Sequence, residues 1–158
     1  MKIPLTALLC LLTTVVIPQA AEPSARPSRF RAAIGGFLGT PYRVELRDGV
    51  LDCTTTGRGA QEPKHTTVKP TEAQWLAFRR TLDEVDVWRW HASYPSHGIM
   101  DGTQWLSEIA FADRAIRTEG SNNYPNAAGE PNEKPETTAA FNRFLEAVRT
   151  LTGGQGFR

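Results

Sequence analysis

The dipeptide Asp48-Gly49, with alternating side chains on both flanks, constrains the fold more than any other feature of the chain. Asp-Gly suits a two-residue type I′ turn, whose central residues both need positive φ. Before it, Tyr42-Arg-Val-Glu-Leu-Arg47 alternates apolar and charged residues, the period of a half-buried strand. A two-residue loop pairs Arg47 with Val50, Leu46 with Leu51, Val44 with Cys53 and Tyr42 with Thr55. One face of the ribbon is then apolar or β-branched on both strands, so turn chemistry and side-chain period agree.

The same logic extends along the chain. Thr66-Thr-Val68 is a short edge strand inside the polar stretch from Gly57 to Pro70. Thr71-x-x-Gln74 is a capping box, in which the Thr oxygen takes a free helix-start N–H and the Gln reaches back. It heads a helix with Trp75, Phe78, Leu82 and Val85 on one face. Trp105, Ser107, Ile109 and Phe111 alternate as a strand that turns at Asp113-Arg114 and returns through Ala115 to Thr118. Arginine is disfavoured at positive φ, so this turn should exceed two residues. Pro135 is placed at the start of a second helix. Phe141, Phe144, Val148 and Leu151 share a face of it, and Gly153 ends it.

Val44, Leu46, Asp48 and Leu51 match Ile109, Phe111, Asp113 and Ile116 at an offset of 65 residues. Trp75, Phe78 and Leu82 match Phe141, Phe144 and Val148 at an offset of 66. The chain thus reads as two hairpin–helix units, and neither covers its own apolar face. The expected fold is α+β: a ββαββα arrangement with one antiparallel sheet of four or five strands and two helices packed on one face.

Asp101-Gly-Thr-Gln-Trp105-Leu-Ser-Glu-Ile109 and Gly120-Ser-Asn122-Asn-Tyr124-Pro125 carry a likeness to known sequences. Residues 100–151 resemble a family of uncharacterised bacterial proteins with a D-G-x-x-W-x-L-x-I strand, a hairpin and a G-S-N-x-Y-P segment before a final helix. The chain departs from that pattern in carrying Leu-Ser-Glu after Trp105, and Asn123 where small residues are common. The resemblance implies the hairpin–helix fold and no activity. Glycine and asparagine tolerate left-handed backbone and proline stops a strand, so the second segment reads as a corner, with a ligand-facing loop as its rival.

Residues 1–20 have the order of a secretory signal peptide: Met1-Lys2, an apolar run from Ile3 to Ile17, then small residues at Ala20-Ala21. Residues 21–35, rich in Pro, Ser and Arg at their start, read as a flexible tether. Residues 36–154 read as a single domain and 155–158 as a flexible C-terminus. The expected destination is the bacterial periplasm or the exterior, with no membrane span once the signal is cleaved. Lys+Arg number 18 against 17 Asp+Glu, and residues 1–20 hold one Lys and no acid, so the exported chain has zero formal charge. That balance argues against nucleic-acid partners. With Cys10 in the signal segment, only Cys53 remains, so the exported chain has no internal disulfide.

No Gly-rich phosphate loop, serine elbow or Cys/His metal repeat is present, and no cofactor is expected. Trp88-Arg-Trp90-His-Ala-Ser-Tyr94 is the most suggestive stretch. If extended, it would turn Trp88 and Trp90 to one side and, with Tyr94, Tyr124 and Asn122, offer an aromatic surface for an envelope protein or a glycan. The competing reading has these rings capping the sheet core. His91, His97 and Asp101 could instead hold Zn²⁺ in a metal-dependent hydrolase, although they lie in a loop where no helix aligns them. The function expected from sequence is therefore a non-catalytic binding or accessory module acting through the aromatic loop. The hydrolase is the alternative, and the oligomeric state is not set by the sequence.

Overall fold

In the computed structural model, residues 25–36, 41–57, 62–96, 98, 102–132, 134–154 and 156–157 are described. Asp48 and Gly49 take φ of 49° and 81°, as a type I′ turn demands. They join β2 (Tyr42–Arg47) to β3 (Val50–Thr55) in the register the sequence requires, from Arg47 opposite Val50 to Tyr42 opposite Thr55. Strand β4 (Lys64–Val68) pairs with β3 and forms one edge of the sheet.

Strands β6 (Thr103–Ala110) and β7 (Ala115–Ser121) make the second hairpin. Its turn is longer than two residues, closed where Phe111 N–H donates to the Arg114 carbonyl at 2.8 Å. Both hairpins lie in one sheet of seven strands, ordered β4-β3-β2-β1-β6-β7-β5. The α+β class holds, but the sheet exceeds the expected four or five strands and the chain is not ββαββα.

Two strands make the difference. Strand β1 (Arg29–Gly36) is central, paired along its length with β6 and in part with β2. The expected tether over 21–35 is thus corrected from Arg29 onward. Phe30, Ala32 and Ile34 alternate into the core, a pattern hidden by the Pro/Ser-rich residues before them and by the small side chains among them. Ser28 N–H already bonds the Ala110 carbonyl at 2.8 Å. Strand β5 (Ser93–Tyr94) runs parallel to β7, making the sheet mixed rather than purely antiparallel.

Helix α1 (Glu72–Glu84) begins at the predicted capping box, with Thr71 Oγ1 accepting from Gln74 N–H and the Gln74 side chain accepting from Thr71 N–H. Helix α2 (Ala139–Leu151) begins four residues later than Pro135 suggests. Asn132 Nδ2 donates to the carbonyls of Lys134 and Glu136, which holds that segment as a turn. Thr138 is the cap instead: its hydroxyl accepts from Phe141 N–H and donates to the Pro125 carbonyl. Gly153, at φ 72°, follows the end of the helix.

Both helices lie on the face of the sheet that carries Phe30, Ile34, Val44, Trp105 and Ile109. Phe30 meets Trp75 and Phe78 of α1 edge-on, while Trp105 packs 4.7 Å from Phe141 of α2. Val44, Phe78, Ile109 and Phe144 are all buried. Each large side chain so placed contributes about 1.5–3 kcal/mol by leaving water, which gives the core its strength without a cross-link. Among the described residues the other face of the sheet carries no helix, and the site described next lies there.

Candidate functional site

The sequence points first to the aromatic stretch, and the structure relocates most of it. Trp90, Tyr94 and Tyr124 are buried, at 5%, 0% and 4% exposure, so they form no surface platform. The reason is local. After α1, Asp86 turns left-handed and Val87–Arg89 form a 3-10 turn, so Trp88 and Trp90 do not share the face that an extended segment would give them. Trp90 enters the core among Trp105, Phe141 and Phe144. The Tyr94 hydroxyl donates to the Gly129 carbonyl and accepts from His91 N–H, and burial pushes its pKa up to about 12. Asn122 is left-handed at φ 47°, and its Oδ1 accepts from Thr103 N–H at 2.8 Å. Gly120–Pro125 is therefore a structural corner, with Trp105 Nε1 donating to the Asn123 carbonyl at 2.9 Å inside it.

Trp88 is half-buried and serves as a strut. Its Nε1 donates to Asp83 at 2.7 Å and its ring meets Phe111 edge-on. The Arg79 guanidinium sits 4.4 Å from the Phe111 ring centroid and 5.2 Å from that of Trp88, and forks onto both carboxylate oxygens of Asp113. That fork holds the Asp113 carboxyl well below the usual carboxylate range, with Arg114 adding a smaller pull. Because the folded-state pKa is depressed, the contribution of Asp113 is intact above about pH 4 and fades as pH falls below it. Asp113→Asn should therefore flatten the loss of stability between pH 4 and pH 2 seen in urea titrations. Arg79→Ala should cost about 1–2 kcal/mol at pH 7 through lost ring contacts and ion pairs.

Of the three proposed metal ligands, His97 and Asp101 lie outside the described residues. The His91 ring lies 5.8 Å from that of Tyr94, tilted by 39°, and approaches Glu130 at 3.2 Å. No cluster of three or more His, Cys, Asp or Glu side chains suited to a metal occurs among the described residues. Burial pushes the Cys53 thiol up to about 11, which disfavours the thiolate at neutral pH.

The uncovered face of the sheet is different in kind. Pairing places Asp52, Glu45, Arg31, Glu108 and Arg117 in one row across five strands. The next row runs Thr54, Arg43, Ala33, Leu106, Glu119. A recess of about 1060 Å³ opens at the centre of this face, with Ala33, Gly35 and Gly36 among its lining residues. Gly36 has no freedom to be larger, since a Cβ there would sit 2.3 Å from the Gly102 carbonyl oxygen. The recess is floored by Ala33 and Leu106 and edged by Arg31, Arg43, Arg117 and Glu119.

Its electrostatics are uneven. Glu45 is hydrogen-bonded by Arg47 at 2.7 Å and Glu108 by Arg29 at 2.8 Å, so both acids are drawn to the outer row. Arg47, with smaller help from Arg31 and Arg43, holds the Glu45 carboxyl below its ordinary value. Arg31, Arg43 and Arg117 form no ion pair within 4 Å among the described residues. Arg31 Nε is buried and has no hydrogen-bond partner among them. No protein-family model matches this chain, and no curated protein matches it either. The site must therefore be read from its own chemistry.

Sequence reasoning missed this face. Arg31 fell in the supposed tether, and Arg43 and Arg117 looked like ordinary outward strand residues. One signal was present: once Trp105, Ser107 and Ile109 point inward, Leu106 is an apolar side chain on the polar side. The chain buries Ser107 and places Leu106 in the floor of the recess.

Proposed function

We propose that this chain is an exported bacterial envelope protein acting as a non-catalytic binding module, and that it meets its partner through the uncovered face of the sheet. Export is supported by the signal-peptide order of residues 1–20, which lie outside the described residues. Among the described residues no helix is long and apolar enough to cross a membrane. The likeness of residues 100–151 to uncharacterised bacterial proteins supports a shared scaffold and brings no activity with it. The observation that carries the reading is the recess itself: a hollow edged by three guanidinium groups that form no ion pair within 4 Å among the described residues, on the side of the sheet that α1 and α2 leave open. An envelope protein or a glycan is the class of partner.

The test is geometric. A photo-crosslinking amino acid replaces Gln104, which is exposed at the recess, and in a second strain Arg80, exposed on α1. In the producing cells, irradiation should yield one discrete adduct in the envelope fraction from position 104 and none from position 80. Absence of an adduct from position 104, or the same adduct from both positions, would defeat the reading.

A further inference from the structure

We infer that the recess takes an extended acidic peptide segment, whose carboxylates are held by Arg31, Arg43 and Arg117. The inference rests on the uncovered face being the contact surface, and it names what that surface recognises.

Charge complementarity comes first. The charged side chains lining the recess are Arg31, Arg43, Arg117 and Glu119, a net charge of +2 in a chain that is close to neutral overall. The acids that could neutralise Arg31 from either side, Glu45 and Glu108, are already hydrogen-bonded by Arg47 and Arg29. A partly buried guanidinium with an N–H left without a partner among the described residues binds a carboxylate strongly, because its fork donates to both oxygens.

Spacing comes second. Arg43 is opposite Ala33, so it is the diagonal neighbour of Arg31, at about 7–8 Å between backbones. Arg31 and Arg117 share a row with β6 between them, roughly 10 Å apart. Side chains on one side of an extended peptide recur every ~7 Å, so acids at alternate positions fall within reach of successive arginines.

The remaining lining separates a peptide from an acidic glycan. Gln104, Thr54 and Ser121 supply amide and hydroxyl groups that suit peptide N–H and C=O. Sugar rings are gripped on open aromatic faces, but of the three aromatic residues lining the recess Tyr94 and Trp105 are buried, 0% and 4% exposed, and Tyr42 is half-buried with its ring against Phe157.

The experiment uses the full exported chain with three probes: an eight-residue peptide of alternating Glu and Ser, the same peptide with Lys for Glu, and tetragalacturonate. Calorimetry at low salt should give saturable binding of the Glu peptide with Kd below ~1 mM and none of the Lys peptide. Raising ionic strength to 0.5 M should weaken it severalfold. Arg31→Gln with Arg43→Gln should weaken it about tenfold, Arg117→Gln by less, and Arg80→Gln not at all. Near-UV circular dichroism shows that each variant remains folded. No saturable binding of the Glu peptide, equal binding of the Lys peptide, unchanged affinity in the double variant, or tighter binding of tetragalacturonate would each overturn the inference. A crosslinked adduct at position 104 without peptide binding would remove the acidic-peptide assignment alone; no adduct would remove the contact surface with it.

Discussion

Trp90→Ala should lower the free energy of unfolding by about 3–5 kcal/mol, the cost of deleting a large buried aromatic side chain. The ring lies 5.4 Å from Phe144 and 6.3 Å from Trp105, both edge-on, so it joins the helix layer to the sheet. Its loss opens a cavity where α2, β6 and the 3-10 turn meet. Domains of this size keep only ~5–15 kcal/mol in reserve, so the variant should show a markedly lower urea midpoint and weakened near-UV dichroism. Two companions make the test discriminating. Trp88→Ala removes a half-buried ring and should cost about 1 kcal/mol. Trp90→Phe keeps most of the ring volume and deletes an Nε1 that is buried without a hydrogen-bond partner among the described residues. Relief of that unmet donor offsets part of the volume loss, so the net cost should stay under about 1.5 kcal/mol. Equal effects of the Trp88 and Trp90 alanine variants would contradict the core placement and return the pair to the surface.

That ordering also shows what local sequence can specify. The β2–β3 ribbon was legible because its turn needs positive φ at two adjacent residues and the flanking period leaves one register that buries Val44, Leu51 and Cys53. The capping box at Thr71 was legible for a similar reason, since both of its hydrogen bonds lie within four residues. Strand β1 has no such local signature. Ala32 and the glycines at 35 and 36 have weak strand preference, and only pairing on both sides, with β2 and β6, makes them a strand. The Trp88–Tyr94 stretch differs: its aromatic content fits a contact surface and a core cap equally, and a left-handed Asp86 and a 3-10 turn decide which way each ring points. The recess is the least legible feature. Arg43, Arg31 and Arg117 come from three strands that become near neighbours only through the order β2-β1-β6-β7, and no local window holds more than one of them.

The corner after β7 ties the core to the recess, and Gly120→Val is the substitution that strains both. Gly120 pairs with Trp105 on one side and Tyr94 on the other. A Cβ at this position would lie 2.4 Å from Trp105 Nε1, 2.6 Å from Cε2 of the same ring and 2.7 Å from the Asn123 carbonyl oxygen. None of these can yield easily, because the indole is packed against Phe141 and stacked with Tyr124, and its N–H is bound to that same carbonyl. Valine should therefore displace the ring and break the buried hydrogen bond together. Overpacking costs about 1–3 kcal/mol and a buried carbonyl left unpaired a further ~1–3, so a loss of about 3–4 kcal/mol is expected. In a thermal scan that is roughly a 10–15 °C drop. Gly120→Ala should fall in the same direction by a smaller amount, since the clash begins at Cβ. The adjacent residues Glu119 and Ser121 edge the recess, so a shifted corner should also disturb amide resonances of Leu106 and Gln104 across the β6–β7 pairing. A Gly120→Val protein within 1 kcal/mol of the parent, with those resonances unmoved, would mean that the indole does not seal this corner as the packing requires.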